Sequence, residues 1–178
     1  MWVTRHWLLL ANAFLLAFAS LPVLEPLLRA GTMTGPADAI WTAYTLVCHQ
    51  LRGRSYFLAG YQMAFCERDT AIYASMALTG LIWARFPRHL PTLHWGIFLL
   101  LVVPMALDGF SQLFGLREST WQLRTLTGAL FGLACVGFGF PLLDRTAKLL
   151  RITLRASVPR PPQWERLGEG TQGATSAA

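Results

Sequence analysis

The side chains with the most chemistry available to them fall in residues 46–69, which read LVCHQLRGRSYFLAGYQMAFCERD. Two cysteines, Cys48 and Cys66, and a histidine, His49, stand here in a chain that is 54% hydrophobic. Thiolates and imidazole suit zinc or similar ions, with Asp69 as a further ligand. Outside the cytoplasm, a disulfide between Cys48 and Cys66 is the alternative. The thiols could also stay redox-active beside arginines and exchange with a quinone, although no C-x-x-C motif is present.

A second polar stretch, residues 108–128, reads DGFSQLFGLRESTWQLRTLTG. Asp108 and Gln112 lie on one face of a predicted helix, and Arg124 follows across a tight turn at a similar depth. A charge at membrane depth needs a partner or water, so we predict an Asp108–Arg124 ion pair. The arginines of both stretches could bind phosphate or carboxylate oxygens, or could simply neutralise nearby carboxylates and lipid headgroups.

The amino-acid composition indicates whether the helices that carry these residues lie in water or in lipid. Charged residues make up only 13% of the chain and the mean hydropathy is +0.42, so most of the chain should lie in lipid. The net charge is +6, but the basic residues cluster beside apolar runs, as membrane topology requires. Because no groove-reading motif accompanies them, we predict no nucleic-acid binding.

The predicted fold is an all-α bundle of four transmembrane helices, since lipid offers an unpaired amide no partner. Their bounds are about residues 7–24, 70–83, 93–114 and 120–143. The second is shorter than the roughly 20 residues that cross a bilayer, so we expect it to gain a turn from the residues before Thr70. Within a single domain over residues 1–156, we also predict an interfacial or re-entrant helix at about 37–51 and a basic cytoplasmic helix at about 144–156. Residues 157–178 have the composition of a disordered cytoplasmic tail. A secretory signal peptide ending near Ala19 is an alternative reading of the first span.

Basic residues predict the orientation of the bundle. They are Arg5 before the first span, Arg85 and Arg88 between the second and third, and Arg145, Lys148, Arg151, Arg155 and Arg160 after the fourth. The positive-inside rule then predicts a multi-pass plasma-membrane protein with both termini in the cytoplasm. Both polar stretches would therefore meet at the outer end of the bundle.

Six short motifs occur in a characteristic order: CHQ, RS at Arg54, CER, LDGFSQ, REST and LTG. Over about residues 44–132 the chain resembles a family of small predicted integral membrane proteins of prokaryotes that bears a domain-of-unknown-function label. The resemblance implies a polytopic membrane protein and groups the motif residues, including Gly128, into one site. In the family pattern the second cysteine motif often continues into another cysteine, where this chain has Asp69. That departure argues against carrying a metal or dithiol mechanism over from the relatives.

We therefore predict an integral membrane protein that binds a small anionic or metal-containing ligand, or a lipid headgroup, at this site. The ligand-binding candidates are Cys48, His49, Gln50, Arg54, Cys66, Arg68, Asp69, Asp108, Gln112, Arg117, Glu118, Ser119 and Arg124, with Cys48, His49 and Cys66 as metal ligands. A membrane enzyme is the first alternative, either a thiol–quinone oxidoreductase or one acting on lipid phosphates. The second is a non-catalytic subunit of a larger membrane complex. Gly128 and Gly132 form a GxxxG pair that predicts close helix packing, within the bundle or against such a partner.

Overall fold

The computed structural model describes residues 2–86 and 92–156. Within these ranges the chain forms five α-helices and one two-stranded hairpin. In chain order they are α1 (Trp2–Ala30), α2 (Thr34–Tyr44), β1 (Ser55–Leu58), β2 (Tyr61–Cys66), α3 (Glu67–Arg85), α4 (Trp95–Leu113) and α5 (Trp121–Ala156). The prediction of a mostly helical chain is confirmed, and the hairpin is an addition to it.

Three helices of the described residues are long and apolar enough to cross a membrane: His6–Ala30, Trp95–Leu113 and Trp121–Leu154. The predicted count of four spans is therefore not confirmed. The predicted second span corresponds to α3, which carries Glu67 and Asp69 in its first turn and Arg85 in its last. Those charges separate it from the three apolar helices.

The helix bounds also differ from the predicted ones. α1 is longer than residues 7–24 at both ends and continues without a break past Ala19. The predicted basic helix at 144–156 is not a separate element, because α5 runs through it to Ala156. The predicted tail over 157–178, together with Arg88, lies outside the described residues.

Ring contacts show that α1 and α3 lie side by side and run in opposite directions. Phe18 packs on Tyr73 with ring centroids 4.7 Å apart, and at the far end of the pair Trp7 packs on Trp83 at 5.9 Å. Trp83 also belongs to a buried apolar cluster with Phe140 of α5. α3 thus packs against both α1 and α5, while Leu78, Leu81 and Ile82 on its remaining face stay exposed.

α4 pairs with α5 in the same way. Phe98, near the start of α4, packs on Phe138 at 4.9 Å, whereas Gln112 near its end and Arg124 near the start of α5 line one cleft. The four long helices therefore alternate in direction. Residues 45–69 and 108–124 meet at one end of the bundle, which we call the polar end.

The GxxxG pair packs inside the bundle. A Cβ atom on Gly128 would lie 2.7 Å from the Arg68 carbonyl oxygen, and one on Gly132 would lie closer still to the Ile72 carbonyl oxygen. The absence of side chains therefore lets α5 rest directly on the backbone of α3. This face is occupied by α3 and does not offer a partner subunit a docking surface.

The interfacial helix predicted at 37–51 is shorter than expected, and the hairpin was not predicted. α2 ends at Tyr44, so Cys48 lies in a loop that leads to β1. β1 pairs antiparallel with β2 across Ala59 and Gly60, both with positive φ, a turn geometry that joins two strands tightly. The hairpin buries Phe65 among aromatic rings of α1, α2 and α3. That burial holds the loop against the helices.

Candidate functional site at the polar end

A cleft of about 250 Å³ opens at the polar end. Its walls are formed by Val47, Cys48, His49, Gln50, Leu51, Arg54, Cys66, Arg68, Asp69, Gln112 and Arg124. These residues come from the loop after α2, the end of β2, the first turn of α3, the end of α4 and the start of α5. Most of the sequence-predicted site residues therefore lie around one cavity, although they span 77 positions from Cys48 to Arg124.

Gln50 fixes the loop that carries Cys48. It adopts a left-handed backbone conformation with φ at 51°. Its side-chain amide donates to the carbonyl oxygens of Trp41 at 2.9 Å and Ala64 at 3.2 Å. The side-chain amide of Gln62 donates in turn to the Gln50 carbonyl oxygen at 2.7 Å. Amide hydrogen bonds thus tie the loop to both α2 and β2.

Cys48, Cys66 and Asp69 form a compact donor cluster on one wall of the cleft. The Cys66 backbone N–H donates to Cys48 Sγ at 3.2 Å, and the Cys66 thiol donates to Asp69 Oδ2 at 3.1 Å. The two sulfur atoms and a carboxylate oxygen of Asp69 all lie within 4.8 Å of one another. His49, predicted as a metal ligand, is exposed at the cleft and lies outside this cluster. Both cysteines are free thiols in this structure, and their predicted disulfide stays a prediction.

The two thiols of the cluster have unequal acidities. The hydrogen-bonding interaction with the Cys66 side chain lowers the pKa of Cys48, and a backbone hydrogen bond from Gln50 adds to this. The same interaction with Cys48 raises the pKa of Cys66, as do burial and the neighbouring carboxylate of Asp69. Cys48 is therefore the sulfur that becomes a thiolate first.

Asp108 is buried behind the cleft and pairs with two arginines, neither of which is the predicted partner. Arg68 forms an ion pair with its carboxylate, and Arg117 Nη2 lies 2.8 Å from Asp108 Oδ1. Gln112 donates a further hydrogen bond to Asp108 Oδ2 at 3.0 Å. A buried carboxylate requires this degree of compensation. The predicted Asp108–Arg124 pair is wrong, because the first turn of α3 comes between the two residues.

Arg124 pairs instead with Glu67, a residue that the sequence-predicted site did not include. Arg124 Nη1 lies 3.1 Å from Glu67 Oε2, and both residues are buried. The Nε atom of Arg124 is also buried and has no hydrogen-bond partner within the described part of the chain. In the sequence, Glu67 is only an acidic residue in the first turn of a predicted helix. The helix dipole alone explains such a residue, so nothing in the sequence was a reason to place Glu67 in the site.

The remaining predicted residues are less involved in the cleft. Arg54 lines it, is half-buried, and has no ion-pair partner in the described ranges. Arg117 is close to Asp108 but outside the cleft lining, and Glu118 is exposed beside it. Ser119 is buried with its hydroxyl donating to the Thr120 carbonyl oxygen at 3.4 Å. These last two residues are not brought to the cavity.

Comparison with known proteins gives the family. Residues 48–138 match the family DUF2085, described as a predicted membrane protein. The chain belongs to this family. The matched region begins at Cys48 and includes Arg124, so it contains all the polar residues that line the cleft.

Two archaeal relatives of the chain are similar over the same part. An uncharacterised protein of Methanocaldococcus jannaschii is 38% identical over 107 residues, which cover 58% of this chain and 67% of the relative. An uncharacterised protein of Methanothermobacter thermautotrophicus is 35% identical over 108 residues, covering 60% of this chain and 92% of the relative. No solved structure matches the chain. The protein is thus a helical membrane protein with three apolar helices, as its family and its hydropathy both indicate.

Proposed function

We propose that this membrane protein binds a soft divalent metal ion, zinc or similar, on Cys48, Cys66 and Asp69. The observation that carries the proposal is the convergence of two sulfur atoms and a carboxylate oxygen within 4.8 Å on the wall of an open cleft. The three residues come from a loop, a strand end and a helix start, so their proximity is a product of the tertiary fold. Thiolates and carboxylates are ligands of zinc.

The same cleft leaves room beside the ion. Three protein ligands and one open position are typical of zinc sites that also take up a small molecule. His49 stands at the cleft and could complete the coordination, or the fourth position could accept an exogenous donor. Because Cys48 has the lowered pKa, it is the thiol that exchanges its proton for the metal most readily.

The first experiment measures metal after mild detergent purification, by mass spectrometry of the digested protein. We expect close to one zinc-class ion per chain in the wild type and a loss of the ion in Cys48→Ser and Cys66→Ser. Asp69→Asn should weaken binding without abolishing it. Cys135→Ser is the matched control, because this third cysteine lies in α5, away from the donor cluster. Its metal content should equal that of the wild type.

A disulfide would contradict this proposal directly. Labelling Cys48 and Cys66 in intact cells with an impermeant maleimide, with and without reductant, distinguishes the two states. Labelling that appears only after reduction, together with metal-free protein, would replace the metal site by a sulfur–sulfur bond. It would also favour the thiol–quinone alternative, which a quinone-dependent change in the same labelling would test.

We further propose that the cleft takes a small anionic ligand. Arg54, Arg68 and Arg124 line it, whereas Asp69 is its only carboxylate among the described lining residues. Guanidinium groups suit phosphate and carboxylate oxygens. Arg54→Gln should lower affinity for inorganic phosphate in calorimetry, and Arg52→Gln is the control, since the Arg52 guanidinium packs over the Phe57 ring. Equal phosphate binding in both variants would remove this part of the proposal.

A four-span topology with both termini in the cytoplasm is the arrangement that we propose. Its support is the position of α3, which lies beside α1 over the same depth and runs antiparallel to it. Reporter fusions near residues 50 and 117 should then report the same outer compartment. Reporters in opposite compartments would exclude this topology.

A further inference from the structure

We infer that the anionic ligand of the cleft is the phosphoryl headgroup of a membrane lipid whose hydrocarbon chain lies in an apolar groove along α4. The inference rests on the anion site proposed above and names its ligand. The groove has a volume of about 390 Å³ and is separate from the cleft, but Arg68 lines both cavities. A polar and an apolar cavity that share one guanidinium match the two halves of an anionic amphiphile.

The groove follows one face of α4. Its lining on this helix consists of Val102, Met105, Ala106, Gly109, Phe110 and Leu113, which are spaced three or four positions apart, and Phe131 of α5 closes it. From Val102 to Leu113 the helix rises about 16 Å, which is close to half the roughly 30 Å hydrocarbon thickness of a bilayer. The groove therefore has the length and direction of a lipid chain in one leaflet.

The charges of the polar end favour an anion over a zwitterion. Residues 45–69 and 108–124 carry five guanidinium groups, those of Arg52, Arg54, Arg68, Arg117 and Arg124, and four carboxylates, those of Glu67, Asp69, Asp108 and Glu118. One positive charge is left over. The Nε atoms of Arg68 and Arg124 are also buried without a hydrogen-bond partner in the described ranges. A phosphodiester supplies one negative charge and acceptor oxygens for such donors.

Gly109 lies at the junction where the groove reaches Arg68. A Cβ atom at this position would lie 3.8 Å from Arg68 Nη1, so the guanidinium approaches the bare backbone of α4 at the junction. A larger side chain would cover Arg68 from the groove side. The junction therefore exposes a cation at the depth where a headgroup joins its chain.

The test measures thermal unfolding of the full chain, delipidated in detergent, against three additives. These are phosphatidylglycerol, phosphatidylcholine and glycerophosphoglycerol, the last of which has the anionic headgroup without chains. We expect phosphatidylglycerol to bind about tenfold more tightly than phosphatidylcholine, because both carry the phosphodiester but the choline cation is repelled by the surplus positive charge of the site. Glycerophosphoglycerol should bind more weakly than phosphatidylglycerol, because it gains nothing from the groove.

Two variants separate the headgroup from the chain. Arg54→Gln should lose the preference for phosphatidylglycerol. Ala106→Phe should fill the groove and lower the affinity for phosphatidylglycerol, while the affinity for glycerophosphoglycerol stays unchanged. Leu107→Phe is the matched control, because Leu107 is 66% exposed and is absent from the groove lining. Met105→Trp is a second groove variant in case Ala106→Phe does not fold.

The outcomes distinguish two failures. If both lipids bind with equal affinity and Arg54→Gln does not change either affinity, the anion site is absent. The lipid inference, which rests on that site, is then overturned as well. If the charge preference is real but groove variants bind lipid like the control, and glycerophosphoglycerol binds as tightly as the lipid, only the lipid inference is overturned. In that case the cleft takes a soluble anion.

Discussion

α3 and α4 are both 19 residues long, yet their surroundings are opposite. α3 buries residues along its length, from Glu67 in its first turn to Trp83 near its end. α4 is described in full, and the only residue that it buries is Asp108. The more apolar helix is therefore the more exposed one. For these two helices, the difference in hydropathy follows the difference in burial, since protein covers much of α3 whereas most of α4 is a lipid-compatible surface.

The largest expected effect comes from the buried carboxylate of α4. Asp108→Ala should lower the free energy of unfolding by about 3–5 kcal/mol, because it breaks the ion pair of a buried carboxylate and leaves the half-buried Arg68 without its counter-ion. Leu107→Ala, one position away on the exposed side, should change it by much less. Unfolding in detergent, followed by far-UV circular dichroism, measures both. Similar losses in the two variants would show that burial does not distinguish the faces of α4.

The contact between α3 and α5 gives the next largest effect. Gly132→Ala should destabilise the fold by about 1–3 kcal/mol, because a methyl group there meets the backbone of α3. Gly139→Ala, on the same helix, has nothing within 4 Å and should be close to neutral. Thermal unfolding of the two variants compares them directly. A neutral Gly132→Ala would mean that α5 does not rest on α3.

A double-mutant cycle tests whether Arg124 pairs with the first turn of α3. Arg124→Gln and Glu67→Gln should show a coupling energy of about 0.5–3 kcal/mol, as residues in direct contact do. The cycle of Arg124→Gln with Asp108→Asn should show a smaller one, since these side chains do not meet. A larger coupling to Asp108 would restore the pair predicted from the sequence.

The smallest effect concerns the thiols where β2 meets α3. Because the Cys66 hydrogen bond lowers the pKa of Cys48, Cys48 gains thiolate at a lower pH than an ordinary cysteine. Alkylation of Cys48 by iodoacetamide should therefore rise at a lower pH than alkylation of Cys66. Removing the Cys66 side chain with Cys66→Ala, which keeps the backbone N–H, should move the Cys48 profile to higher pH. Mass spectrometry of the alkylated peptides measures both, and an unshifted profile would contradict the assigned hydrogen bond.

The sequence predicted which residues meet better than it predicted how they pair. Alternating helix directions were enough to bring Cys48, Arg68 and Arg124 to one end, since antiparallel neighbours place their connecting loops in pairs. The partner of Asp108 was wrong because sequence spacing gives depth along a helix but not the rotation of neighbouring helices. That rotation follows from Gly128, whose close contact with α3 sets the first turn of α3 against α4.

The hairpin was missed for a different reason. Its signal is the Ala59-Gly60 turn between two short aromatic runs, and Phe65 is buried by rings of three separate helices. Two strands of this length are stable only when such packing exists, and local sequence does not show it. The length of α2 was overestimated because the chain leaves the helix after Tyr44 and Gln50 donates a hydrogen bond to the Ala64 carbonyl oxygen of β2, a partner that only the hairpin supplies.

The amides of Gln50 and Gln62 hold the cysteine-bearing loop in place, and no sulfur atom takes part in those hydrogen bonds. Apart from the hydrogen bond from the Cys66 N–H to Cys48 Sγ, the backbone around Cys48 should therefore keep its shape whether or not its sulfur holds a ligand. If the proposed ion binds here, a chelator should remove it and a later ion should bind again without refolding of the loop. A single molecule could go through this cycle many times.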